Sequence, residues 1–266
     1  MRYSKFIVSA AVAVGAILGM GAASAADLPV YTKAPPPVVA AIYDWSGFYI
    51  GLNGGGGWSH KCWDRNTGLN GTFAATEGCN DPNGGEVGGQ FGYRWQTGHW
   101  VFGLEAQGDW ANLSGSNTSS IIPLINFQGV LLPGLPNGNR TNIDAFGLFT
   151  GQIGYAVNTW LLYVKGGAAV VADRYSGFTP ATGFVFDTAS ETRWGGVVGA
   201  GIEFGFAARW SVALEYDHLF MGSNTLDFYS TRFQGLFSRE DRIRQDVDLV
   251  TVRVNYRFGG PVVAKY

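Results

Sequence analysis

Charge is scarce in this sequence: Asp, Glu, Lys and Arg together make up 14% of it, against about 25% in ordinary soluble domains. That shortage argues against a soluble enzyme whose surface is kept wet by ions. Neither sign dominates, since the formal net charge is -2 and the isoelectric point lies near 5.9, so the basic footprint of a nucleic-acid binder is missing. Cysteine is limited to Cys62 and Cys79 and histidine to His60, His99 and His218. After the N-terminal stretch no segment holds 18 uninterrupted apolar residues, which excludes membrane-spanning helices. Any membrane crossing must use strands.

The N-terminus carries Arg2 and Lys5, an apolar run from Phe6 to Met20, and Ala23-Ser24-Ala25, the three parts of a cleaved secretory signal peptide. Residues 1–25 are therefore read as signal and 26–46, with Pro29, Pro35, Pro36 and Pro37, as an extended periplasmic lead-in. In an exported chain an even cysteine count favours a Cys62–Cys79 disulfide. The metal alternative, His60 and Cys62 with Cys79 and Asp81, fits no strong zinc template, and no metal or cofactor is expected.

What the chain has in abundance is glycine, 40 residues, and aromatic side chains, 15%. They are arranged with period two. In the run from Thr192, Trp194, Gly196, Val198, Ala200, Ile202 and Phe204 share one face while Arg193, Gly195, Val197, Gly199, Gly201 and Glu203 share the other. After the turn Gly205 to Arg209 the alternation resumes, with Trp210, Val212, Leu214 and Tyr216 opposite Ser211, Ala213, Glu215 and Asp217. Six further ribbons are read at Gly47 to Gly57, Glu86 to Trp95, Trp100 to Trp110, Asn142 to Tyr155, Trp160 to Ala172 and Val247 to Phe258. The fourth alternates worst, because Phe146 and Leu148 fall on its polar side.

Long connections (Ser59 to Gly85, Ala111 to Thr141, Asp173 to Glu191, His218 to Asp246) alternate with short turns. This is the asymmetry of an all-β, eight-stranded antiparallel up-and-down transmembrane barrel, with four long external loops and tight periplasmic turns, spanning 47–258. Residues 259–266 form a C-terminal extension. Charges at mid-strand, such as Glu105, Lys165 and Glu203, would be costly against lipid, so the polar face points inward. The inward set is Arg94, Glu105, Asp109, Asp144, Lys165, Arg193, Glu203, Glu215, Arg253 and Arg257, nearly balanced in sign. It predicts a lumen plugged by ion pairs, since an eight-stranded barrel is just wide enough to be filled by its side chains; the alternative is a narrow solute path.

Several segments together carry a family resemblance: Ala26-Asp27-Leu28-Pro29, Trp45-Ser46-Gly47-Phe48-Tyr49-Ile50-Gly51, Gly154-Tyr155 before Trp160-Leu161-Leu162-Tyr163, Val198 to Phe204, Trp210-Ser211-Val212 with Glu215-Tyr216, and Val252 to Phe258. In this order the chain resembles the small outer-membrane β-barrel proteins of alphaproteobacteria, the outer membrane immunogenic or opacity-like porin family, over nearly all its length. The resemblance implies a surface protein supporting envelope integrity, with pore activity, haemin binding or host-surface binding as the alternatives, and no catalytic residues. It implies outer-membrane lipid and the outer-membrane assembly machinery as partners, and no nucleic acid. Two departures stand out: Thr150 and Gln152 replace arginines of strand four, and Gly259 to Tyr266 follow the terminal aromatic. Val254, Tyr256 and Phe258 are expected to act as the assembly signal.

Three patterns are set aside. Gly199-x-Gly201 lies within a strand and lacks the strand-to-helix turn of a dinucleotide site. Asn53 to Gly57 lacks the Lys-Ser/Thr pair of a phosphate loop. Asp217, His218 and Ser223 are close in sequence, which is not triad geometry.

Overall fold

The computed structural model describes residues 43–68, 75–119, 124–127, 130–133, 136–233 and 235–259. The signal peptide, the lead-in as far as residue 42 and the extension after Gly259 lie outside the described residues.

The strands are β1 (Gly47–Gly68), β2 (Ala75–Asn80), β3 (Asn83–Thr97), β4 (Trp100–Thr118), β5 (Leu124–Phe127), β6 (Val130–Pro133), β7 (Gly138–Val157), β8 (Trp160–Phe178), β9 (Val185–Ala207), β10 (Trp210–Ser230) and β11 (Phe237–Phe258). Nine form one antiparallel sheet in the order β11-β10-β9-β8-β7-β4-β3-β1-β2, and β11 also pairs with β1. Eight strand positions therefore close the ring. β2 takes up the place of β3 along the upper part of β1, where Cys62 faces Cys79, after the break at Asp81 and Pro82. β5 and β6 make a separate hairpin.

At one end the turns are as short as hairpins allow. Thr97 pairs with Trp100, Val157 with Trp160 and Ala207 with Trp210, leaving two residues in each loop. Gly98 and Asn158 take positive φ there, 60° and 53°, the backbone that a two-residue hairpin needs.

The outer wall carries an apolar belt, with Ile50, Leu52, Phe91, Leu104, Phe149, Leu162, Val164, Leu214 and Val252 all exposed. Aromatic rings border it. Near the short turns Phe48 meets Tyr93 at 4.7 Å, Trp160 meets Phe204 at 4.6 Å and Trp210 meets Tyr256 at 5.0 Å; at the other margin stand Trp58, Trp110, Trp194 and Phe220. An apolar band between aromatic girdles is what a bilayer requires of a barrel.

Above the belt the structure departs from the sequence reading. The four long connections are largely strand: β1 runs to Gly68, and β11 begins at Phe237 rather than Val247. There the outer face turns polar, and apolar side chains such as Trp63, Tyr175 and Ile243 are buried inside together with charged ones such as Lys61 and Arg239. A search for apolar residues on the lipid face stops where the lipid stops.

β7 supplies the second correction. Its register with β8 shifts between Ile143 and Ala145, opposite a shift on β4 between Trp110 and Leu113. An extra residue at a bulge reverses which face the following side chains take. Ile143 is consequently buried inside rather than facing lipid, and Phe146 and Leu148 face inward as well. Asp144, assigned to the lumen, instead pairs with the exposed Arg174 on the outer wall.

Candidate functional site

Among the described residues many functional groups converge in the lumen, which is filled in layers. At the short-turn mouth Trp45 is buried against Val101, Ala156, Leu161 and Tyr163, with Tyr43 packed on them. The Trp45 amide donates to Gln96 Oε1 at 2.8 Å. The end of the lead-in, read as linker, thus stops the lower mouth. Arg257 stays at this rim, donating to the Ala208 carbonyl at 2.9 Å with its guanidinium 4.8 Å from the Tyr43 ring centre. It is not a member of the ion network.

Above this lies the principal ion cluster. Arg94 meets Glu203 at 2.8 Å, and Glu203 also accepts from Asn255 and Ser211. Arg253 binds Glu105 at 2.6 Å and also Glu215. Lys165 reaches Glu215 at 2.6 Å and Asp217 at 3.0 Å. Tyr49 donates to Glu105 at 2.6 Å and Tyr163 to Glu215 at 2.5 Å. Both rings fit because glycine stands beside them: a Cβ on Gly201 would lie 2.5 Å from the Tyr163 ring and one on Gly92 2.5 Å from the Tyr49 hydroxyl.

The signs in this layer are unequal. Three cations, Arg94, Lys165 and Arg253, face six buried carboxylates, Glu86, Glu105, Asp109, Glu203, Glu215 and Asp217. The near balance read from sequence arose from counting Arg193, Arg257 and Asp144 here and leaving out Glu86 and Asp217. Asp109 accepts from Gln107 at 2.8 Å and has no ion pair among the described residues.

An apolar layer closes over the ions, comprising Leu113, Ile143, Phe146, Leu148, Ala169, Val171, Val197, Leu219, Met221, Val247 and Leu249. Beyond it Trp63, Tyr175, Phe228 and Ile243 cluster, beside a fully buried Lys61–Asp173 pair at 2.6 Å. Burial lowers Lys61 to about 8, more than Asp173 restores. Arg193 belongs to this level and not to the lower network, pairing with Glu191 at 2.8 Å and donating to the Ile243 carbonyl.

A second ion cluster caps the barrel. Arg239 reaches Glu77 at 2.9 Å, Asp187 at 3.0 Å and Asp241 at 3.3 Å, and Arg65 also pairs with Glu77. Burial pushes Asp241 up to about 7 against the pull of Arg239, with the Glu77 charge adding to the rise. Sequence reasoning missed this cluster because its residues sit in segments read as loops. One signal was present: Arg239 and Asp241 keep the odd-numbered parity of Arg253 on β11, and Lys61 and Arg65 that of Tyr49 and Asn53 on β1.

On the outer wall, Cys62 and Cys79 form a disulfide between directly opposed strand residues, Cα atoms 4.1 Å apart. The metal alternative loses both thiolates to that bond. The suspected triad is dispersed: Asp217 points inward to Lys165, His218 binds Asp248 at 2.7 Å, and Ser223 accepts from Arg242. Val254 and Phe258 stand exposed on the outer face of the last strand, with Tyr256 between them and less exposed.

The chain has relatives among known proteins. The chain is 28% identical over 264 residues to the 31 kDa outer-membrane immunogenic proteins of Brucella melitensis biotype 1 and Brucella suis biovar 1, covering 93% of this chain and 99% of each relative. Among solved structures, the outer membrane protease OmpT of Escherichia coli overlaps with a TM-score of 0.47 and 10% identity, covering 80% of this chain and 97% of that one. The model of the outer membrane protein beta-barrel domain matches residues 12–258. By that match the chain is an outer-membrane protein of the Gram-negative envelope and belongs to the outer membrane protein beta-barrel domain family.

Proposed function

We propose that this protein is a sealed surface barrel that supports the integrity of the outer membrane and neither conducts solutes nor catalyses a reaction. The observation that carries the reading is the apolar layer across the lumen, from Leu113 and Phe146 to Leu219 and Leu249, all essentially without solvent exposure. Water and ions passing along the axis would have to cross it after leaving the carboxylate-rich layer below. The two ion clusters fix the strands to one another through the lumen, while the apolar belt takes outer-membrane lipid as its partner.

The enzyme alternative draws no support from the dispersed Asp217, His218 and Ser223. A narrow porin would need a continuous polar path, and the aromatic cluster around Trp63 and Tyr175 adds a second apolar level across it. Val254, Tyr256 and Phe258, facing outward on the last strand, would be the contact for the assembly machinery. Proteoliposomes carrying the purified protein should swell in small sugars no faster than empty liposomes. Swelling that scales with protein content would overturn the sealed reading in favour of the porin.

A further inference from the structure

On the outer wall above the belt, the disulfide has neighbours that its structural role does not need. His60 Nδ1 lies 2.6 Å from Asp81 Oδ1, and its other ring nitrogen, Nε2, lies 3.3 Å from Cys62 Sγ. Across the β1–β11 ladder Cys62 is paired with Arg244, whose side chain is exposed on the same outer face, and directly paired strand residues hold their Cβ atoms about 5 Å apart. Cys62 therefore sits beside an imidazole held by a carboxylate, with Arg244 as its paired residue on the neighbouring strand. Of the other acids on that face, Asp64 is paired in register with Arg242 and Asp246 with His60 itself. His60, Cys79 and Asp81 are exposed and Cys62 is partly so. Cys62 is four residues past Trp58, about 13 Å along the strand from the aromatic margin, and so within reach of water-borne reagents.

We propose that Cys62–Cys79 is a thiol–disulfide exchange site on the cell surface, whose substrate is a small-molecule thiol. A thiolate attacks the more exposed sulfur, that of Cys79, forming a mixed disulfide, while the bond to Cys62 breaks and the electron pair leaves on Cys62 Sγ. The departing thiolate is met by the His60 ring at Nε2, whose Nδ1 is held by Asp81. A second thiolate then attacks the mixed disulfide, releasing the small-molecule disulfide and leaving the Cys79 thiolate. Two thiols are oxidised, one protein disulfide is reduced, and the two thiol protons pass to the cysteines or solvent. Exchange is faster when the leaving thiol has the lower pKa, and an adjacent histidinium or arginine lowers it, so this arrangement assigns the leaving role to Cys62.

The test uses the full barrel in detergent, exposed to excess reduced glutathione, quenched with a maleimide and read by gel shift over time. The expected result is reduction about tenfold slower in His60→Ala, with a smaller slowing in Asp81→Asn and unaltered heat-modifiable migration in both. Peptide mapping of the trapped mixed disulfide should find glutathione on Cys79. A purely structural role for His60 would not set which sulfur is trapped. Equal rates for wild type and His60→Ala, or glutathione trapped on Cys62, would overturn the proposal.

Discussion

Arg253 is the most demanding residue of the lumen, fully buried and bound to Glu105 and Glu215 at once. Replacing it with Met leaves Glu105 with only a 3.9 Å contact to Lys165 and takes one of two cations from Glu215, in a layer that already holds six carboxylates against three cations. Breaking a buried pair in this way costs about 3–5 kcal/mol. Adding Glu105→Gln to Arg253→Met removes one stranded charge, so the same substitution should destabilise the wild type and stabilise the variant by about 1 kcal/mol or more. The assay is urea unfolding of the barrel in micelles, followed by tryptophan emission and by heat-modifiable migration. A loss below about 1 kcal/mol for Arg253→Met, or the same sign for Glu105→Gln in both backgrounds, would refute the claim that this charge pairing holds the lumen together.

Three further outcomes follow from the same geometry. Gly201→Ala puts a Cβ 2.5 Å from the Tyr163 ring and should cost about 1–3 kcal/mol by overpacking, with Gly108→Ala, where an added Cβ meets nothing within 4 Å, as the control. The buried charges above the belt should respond to pH in two directions. Asp241 binds its proton more tightly folded, about 7 against an ordinary 3.8, so its contribution is full below pH 4 and is lost as pH rises to 7. Lys61 releases its proton more readily folded, about 8 against 10.5, so stability regained between pH 8 and 10.5 should vanish in Lys61→Met; unfolding midpoints across both windows check this. Phe258→Asp should leave the chain unassembled in cells, and normal heat-modifiable protein in the outer membrane would contradict the assembly role of the last strand.

The part of the chain in contact with lipid was legible because two constraints coincide there: period two from the strand and a change of polarity from the bilayer. Phe48, Ile50 and Leu52 against Tyr49, Gly51 and Asn53 are placed as read. Where only one constraint remained the reading failed. Above the belt the outer face turns polar while Trp63 and Ile243 share the inner face with Lys61 and Arg239, so the alternation loses its contrast in polarity and passed for loop. At Asp144 a single bulge reversed the face, and no local pattern announces it apart from the misfit of Phe146 and Leu148. The ten proposed lumen charges split accordingly: Arg94, Glu105, Lys165, Glu203, Glu215 and Arg253 meet in one network, Asp109 lies beside it without an ion pair among the described residues, and Arg193, Arg257 and Asp144 belong elsewhere. Pairing across a barrel depends on register between distant strands, which a one-dimensional pattern does not contain.

The seal itself is tested most directly by single-channel recording of the purified protein in planar bilayers, alongside a variant in which Phe146, Leu148 and Leu249 of the apolar layer are replaced by Gly. The wild type should give a quiet baseline, and the folded variant, whose axis is still closed by Trp45 below and the Trp63 cluster above, should show at most brief cation-selective events drawn by the excess carboxylates. Stable steps from the wild type, unchanged in the variant, would contradict the account.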